Sequence, residues 1–121
     1  MTDETARVRT SEEVYASHGA ALMAEDLDGL VANFADDAVI ITPSGVKHGK
    51  EGARANFTQL FTDLPKADWT MDTTLFGGDI LFLEWKADSA INQAAHGVDT
   101  FVIRDGLIHA QTVRYELSAK N

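Results

Sequence analysis

Apolar residues recur first at helical spacing and later at the spacing of two that marks strands. Val14, His18, Ala21 and Leu22 line one stripe, with Tyr15 at its edge, and predict a helix to about Glu25. Thr10-Ser11-Glu12-Glu13 opens it with capping-box spacing, Thr10 as N-cap and Glu13 reaching back. Met1–Arg9 ahead of it is polar and reads as a flexible end. A shorter stripe follows: Asp26 caps a helix carrying Leu27, Leu30, Val31 and Phe34, and Asp36-Asp37 closes it. Val39-Ile40-Ile41 then reads as a buried strand that stops at Pro43. That junction brings Thr42 close to the helix layer, and the rest of the chain is expected to build a pocket around it.

Ser44-Gly45 turns the chain, and Val46–Gly49 makes a short return. Lys50–Leu64 is the third helix, with Ala53, Phe57, Leu60, Phe61 and Leu64 as its apolar face and Pro65 after its end. From Ala67 onward the pattern is strand. Trp69–Phe76 and Ile80–Ala87 flank Gly77-Gly78, a hairpin signal because glycine tolerates the positive φ of a primed turn. Further strands run from about Gln93 to Ile103 and from Leu107 to about Leu117. The expectation is an α+β fold of one domain, residues 1–121, with three N-terminal helices packed on one face of a curved, mainly antiparallel sheet.

Composition changes this picture little. The chain has 121 residues, 45% apolar and 24% charged, as an ordinary globule does. With no cysteine it has neither disulfides nor thiolate chemistry, which fits a cytoplasmic protein. No apolar run has the length needed to cross a bilayer. The net charge of −9 argues against nucleic acid and anionic membranes as partners. The acids cluster near helix starts, where they act as solvated caps. Four scattered histidines lack carboxylates at ligand spacing, so no metal site and no cofactor is expected.

The last hairpin decides where the chemistry lies. If Asp105-Gly106 were a two-residue turn, Arg104 would sit opposite Leu107, and Asp99 would share a face with Ala110 and Thr112. If Arg104-Asp105-Gly106 is a three-residue loop with a bulge at Gly106, Ile103 faces Leu107. Asp99 then shares a face with Gln111, and Phe101 with His109. Arg114 and Glu116 belong outside, so Leu107, Val113, Tyr115 and Leu117 belong inside. The second register brings Phe101, Ile103 and Asp99 in with them, and it is the one expected. An inward Asp among apolar neighbours costs several kcal/mol if charged and unpaired. Two readings stay open: a carboxylate bonded to Gln111 or paired with an Arg to order the core, or an acid of raised pKa that exchanges a proton with a ligand. For His18 the plain reading is a half-buried imidazole bonded to a backbone carbonyl.

Three segments carry a resemblance that spans nearly the whole chain in order: Asp26–Ala38, His48-Gly-Lys-Glu-Gly52 and Asp99–Ile108. Together they resemble the NTF2-like superfamily, which includes SnoaL-like polyketide cyclases, ketosteroid isomerases and limonene epoxide hydrolases. The resemblance implies a cone-shaped sheet closed by helices, a small apolar organic ligand inside, and often a homodimer on the outer sheet face. Phe82, outward with Glu84 and Lys86, suits such a face. Set against the ketosteroid isomerase pattern, the oxyanion-holding tyrosine falls on His18, the general base on Thr42 and the second oxyanion donor on Asp99. A hydroxyl at position 42 cannot shuttle a carbon-bound proton at neutral pH, so the isomerase base is missing. The arginine and two aspartates of the epoxide hydrolases cannot be completed here.

Two functions follow. One is a SnoaL-like acid/base enzyme on a carbonyl-bearing apolar substrate, with Asp99 and His18 as the catalytic pair. Tyr15, Phe34, Thr42, Phe57, Trp85, Phe101, His109, Gln111, Val113 and Tyr115 would line its cavity, although the facing of Trp85 stays open. The other is a binding or dimerisation module without turnover, in which Asp99 and His18 satisfy each other in a filled core. His96 is expected at the surface and His48 in a turn.

Overall fold

A computed structural model describes residues 7–120 of the chain. Helix α1 spans Ser11–Met23, α2 Leu27–Val31 and α3 Gly49–Asp63. The strands are β1 Phe34–Thr42, β2 Gly45–His48, β3 Asp68–Gly77, β4 Ile80–Asp88, β5 Asn92–Arg104, β6 Leu107–Arg114 and β7 Ser118–Ala119. They form a curved α+β layer in the order β2-β1-β6-β5-β4-β3, with β7 paired to β5. Every pairing is antiparallel except β1 with β6, which is parallel. The three helices are therefore not a consecutive N-terminal block: the β1–β2 hairpin separates α2 from α3.

Local chemistry sets the helix starts. The Thr10 hydroxyl accepts from the Glu13 N–H at 3.1 Å, and the Thr10 N–H donates to Glu13 Oε1 at 2.8 Å, the reciprocal capping box read from the sequence. Asp26 caps α2 by accepting from the Gly29 N–H at 3.0 Å. The polar leader is tied down at its end, because Arg9 donates to Asn33 Oδ1 at 2.9 Å and to the Gly106 carbonyl at 2.7 Å. Met1–Ala6, the rest of the stretch read as flexible, lie outside the described residues.

Three local expectations are corrected. The second helix stops at Val31, and Phe34–Asp37 is already strand, because Phe34 pairs with Ile108 of β6 and is wholly buried. Long-range pairing there overrides a short helical pattern. In the β3–β4 hairpin Gly77 still pairs with Ile80, so the turn is Gly78-Asp79, with Gly78 at φ 59°. The β5–β6 turn is the two-residue Asp105-Gly106, with φ 55° and 76°, and Arg104 sits opposite Leu107. The extra residue falls later: Ile103 pairs with Ile108 but Val102 with Ala110, which leaves His109 as a bulge in β6. That bulge restores the facing that the loop was expected to supply. Asp99 lies opposite Val113 and Phe101 opposite Gln111, all buried, while Leu107 is only half-buried and Leu117 is exposed.

Further register shifts lie between Met71 and Thr73 and between Trp85 and Ala87. Such bulges bend the strands and help curl the sheet around its inner face. In β5 the shift at Ala95-His96 switches the buried set from Ala94 to Gly97, Asp99, Phe101 and Ile103. The core lies between the helices and the inner face of the sheet, where Leu30, Phe34, Ile40, Phe57, Leu81 and Phe101 are almost completely buried.

Candidate functional site

Between α1, α3 and the inner face of β3–β6 the core is not filled. A cavity of about 270 Å³ opens there. Helix α1 contributes Tyr15, Ala16, His18, Gly19, Ala20, Leu22 and Met23, and α3 contributes Asn56, Phe57 and Leu60. The sheet side is Trp69 and Met71 of β3, Leu83 and Trp85 of β4, Asp99 of β5, and Gln111 and Val113 of β6, with Tyr115 just beyond.

The Asp99 carboxylate is the chemical centre of this wall. It accepts from Trp85 Nε1–H on Oδ1 at 2.7 Å and from Gln111 Nε2–H on Oδ2 at 2.8 Å. No cation pairs with it among the described residues. Burial pushes its pKa from 3.8 up to about 6, and the two neutral donors only partly oppose that rise. Each carboxylate oxygen keeps acceptor capacity beyond the bond it makes. Gln111 Oε1 is buried and has no partner. Turning the Gln111 amide over would present that oxygen to a protonated Asp99, so either charge state of the acid can be hydrogen-bonded.

Trp85 reaches Asp99 because of a glycine. Gly97 lies directly opposite Trp85 across β4–β5, and a Cβ on it would stand 2.1 Å from the indole ring. The indole is also flanked by Trp69, with ring centroids 5.3 Å apart, and by Tyr115 at 5.7 Å. Tyr115 is held in turn by donating its hydroxyl to Asp63 Oδ2 at 2.7 Å. Burial and the Asp63 carboxylate both push the Tyr115 hydroxyl pKa up, so it stays protonated.

His18 is 5% exposed and packs edge-on between Phe57 and Phe101, with centroids at 5.5 and 5.1 Å. It makes no hydrogen bond to a described residue, and its Nδ1 is buried without a partner. The backbone-carbonyl bond expected of it is absent, and so is a bond to Asp99. Burial lowers its pKa from 6.5 to about 4, so the ring is neutral at pH 7. A group with a depressed folded pKa stabilises the fold above its ordinary pKa, and that stability is lost as pH falls from 6.5 toward 4. His18→Phe is therefore expected to gain on the wild type as pH drops, reaching on the order of 3 kcal/mol near pH 4. Urea midpoints at pH 7, 5 and 4 check this, and a constant gap at all three would contradict it.

Eight of the residues singled out from the sequence meet in this cavity: Tyr15, His18, Phe57, Trp85, Asp99, Gln111, Val113 and Tyr115. Four do not. Phe34 is wholly buried behind Phe57, at 6.0 Å between rings, and Phe101 packs under His18 as core. Thr42 ends β1 bonded to Ser44 at 2.8 Å, on a separate hollow of about 330 Å³ beyond Tyr115. It lies there because it pairs with Gly45 at the tip of the β1–β2 hairpin, away from the inner face of β3–β6. His109 sits in the bulge, where its ring faces the Arg104 carbonyl at 3.1 Å. The bulge turns it away from the inner face. Trp69, Met71 and Leu83 were missed; alternation along Trp69–Met71 carried the signal for the first two, while nothing local marks Asn56. Of the remaining histidines, His96 is exposed against Glu84 at 2.9 Å and His48 precedes α3. No cluster of metal-binding side chains occurs among the described residues, and no helix among them is long and apolar enough to cross a membrane.

Comparison with solved structures places this geometry. The chain is similar to an NTF2-like protein of unknown function from Cytophaga hutchinsonii, with TM-score 0.72, 13% identity, and 88% of this chain and 90% of that one covered. It is also similar to a SnoaL-like protein of unknown function from Burkholderia thailandensis, with TM-score 0.71, 19% identity and coverage of 88% and 94%. A third, from Catenulispora acidiphila, has a ketosteroid isomerase-like fold and was solved with trimethylamine; the TM-score is 0.69, identity 16%, and 88% of each chain is covered. At such identities the likeness establishes the fold alone. No curated protein matches the chain in sequence. The family model for the SnoaL-like domain matches residues 14–111, from the first buried residue of α1 to Gln111 beside Asp99. That match covers most of the chain, and the protein belongs to the SnoaL-like domain family, with an NTF2-like fold.

Proposed function

We propose that the cavity takes a small, largely apolar organic molecule whose polar end, a carbonyl or enol oxygen, meets Asp99, and that Asp99 exchanges a proton with it. The observation that carries this reading is a buried carboxyl without a cation, its pKa near 6, on the wall of an otherwise apolar hollow. A fold under selection for stability alone would fill such a space or leave the acid out. At a pKa near neutrality the acid can both accept and return a proton, as general acid/base work requires. Trp85 and Gln111 hold the carboxylate in one orientation. Neutral His18 offers a hydrogen bond to a developing oxyanion without bringing a charge that would ionise Asp99 more strongly. Tyr115 and the two tryptophans would shape the apolar part.

The competing reading is a binding module without turnover. It draws on the fact that both Asp99 oxygens already have protein partners. Calorimetric titration with 2-naphthol, a neutral ring carrying one hydroxyl, tests the pocket in either case. Wild type is expected to capture it, and Asp99→Asn to weaken capture by about tenfold, worth about 1.4 kcal/mol. Wild type that takes up no such probe would sink the proposal.

A further inference from the structure

Gly19 stands in the middle of α1, where the usual structural reasons for a glycine are missing. Its backbone is right-handed helix, not one of the positive-φ positions. A Cβ built on it meets no atom within 4 Å. Gly97, by contrast, must be bare to admit Trp85, and a Cβ on Gly52 would press on Lys47 at 3.0 Å. Glycine is also among the poorest helix formers, so its presence weakens α1 and gains nothing in packing.

What Gly19 does face is the cavity. On a helix its neighbours lie three and four residues away, and all four of them, Tyr15, Ala16, Leu22 and Met23, line the hollow. Gly19 is thus at the centre of the face that α1 turns toward the site, and that centre has no side chain. The same hollow is walled by His18 and Gln111, 5% and 1% exposed, and by the Asp99 carboxylate.

We infer that Gly19 is a specificity-determining residue: its missing side chain sets how large a ring system can lie between α1 and the opposite wall of Trp69 and Trp85. The inference rests on the ligand-pocket reading above and adds to it a size limit written on α1. A methyl at this position trims the space and a leucine side chain occupies it, while the helix itself gains from either change.

Calorimetric titration of phenol and 2-naphthol into the wild type, Gly19→Ala and Gly19→Leu tests it, since the probes share a hydroxyl and differ by one ring. Wild type is expected to bind both. Gly19→Leu should keep phenol and lose about tenfold or more in 2-naphthol affinity, with a melting temperature at or above that of wild type. Gly19→Ala should melt higher than wild type yet discriminate against 2-naphthol to a smaller degree, and it carries the test if the leucine variant does not fold. Unchanged selectivity in a folded variant overturns the inference and leaves the pocket reading standing. A wild type that binds neither probe overturns both.

Discussion

Asp99→Asn is expected to leave the protein folded and to make it more stable at pH 7, although it removes a side chain at the heart of the site. The folded protein binds the Asp99 proton more tightly than the unfolded chain does, with a pKa of about 6 against the ordinary 3.8. Across that interval the native state holds more protons, so Asp99 makes stability fall as pH rises from about 4 to about 6, and the whole loss persists above 6. At about 1.4 kcal/mol per pH unit, the burden at pH 7 is on the order of 3 kcal/mol. Asparagine keeps the shape and sheds the charge. Its carbonyl accepts from Trp85, its amide donates to Gln111 Oε1 once that side chain turns over, and an orphaned acceptor is satisfied.

The same variant should also expose a hidden slope. His18 acts in the opposite direction, adding stability as pH rises from about 4 to 6.5, so in the wild type the two buried groups oppose each other. Asp99→Asn should therefore gain stability with rising pH through this window, and His18→Phe should lose it. Denaturation midpoints at several pH values measure both. An Asp99→Asn protein less stable than wild type at pH 7 would mean that the charged carboxylate holds the fold together, and the acid/base reading would go with it.

Gly97→Ala is the second large effect. The added methyl would need to occupy space 2.1 Å from Trp85 Cε2, far inside contact distance, so the indole must move. It cannot simply shift, because Trp69 and Tyr115 flank it. Overpacking and the lost bond to Asp99 together should destabilise the protein by about 2–4 kcal/mol. Beyond stability, Asp99 would lose one of the two donors that hold its pKa down, so that pKa should climb further. The NMR signal of the Trp85 indole proton and the Asp99 titration report this directly. A Gly97→Ala protein with wild-type melting and an unmoved indole signal would show that Trp85 is not held as described.

Much of the fold can be read in the chain, since local rules and burial agree there. The capping box at Thr10 and Glu13 and the apolar face of α3 follow from spacing. The places of the two hairpins among the last four long strands are marked by Gly77-Gly78 and by Arg104-Asp105-Gly106, although the turns themselves are Gly78-Asp79 and Asp105-Gly106. The inward facing of Asp99 was also legible, though by an argument that put the extra residue in the wrong place. Parity is conserved whether the one extra residue is Gly106 in the loop or His109 three positions later. The pattern of charged Arg114 and Glu116 against apolar Val113 therefore reports the facing without reporting the bulge. Where a short segment is claimed by two structures, as at Phe34, the chain alone misleads, because pairing with Ile108 is not visible from either strand.

By itself the sequence determined which residues could be core, which turns were possible, and that one acid had to enter an apolar interior. Those are properties of single segments, governed by side-chain period and backbone freedom. Only the tertiary structure decided what that acid meets. Trp85 and Gln111 reach Asp99 from neighbouring strands, the indole lying over Gly97. Phe101 passes beneath His18 as packing, and Gly19 of α1 lines the same hollow as Trp69 and Trp85 without a side chain of its own. Distances of a few ångströms between segments far apart in the chain depend on bulges and sheet curvature, and each of these arises from pairing that no local pattern specifies.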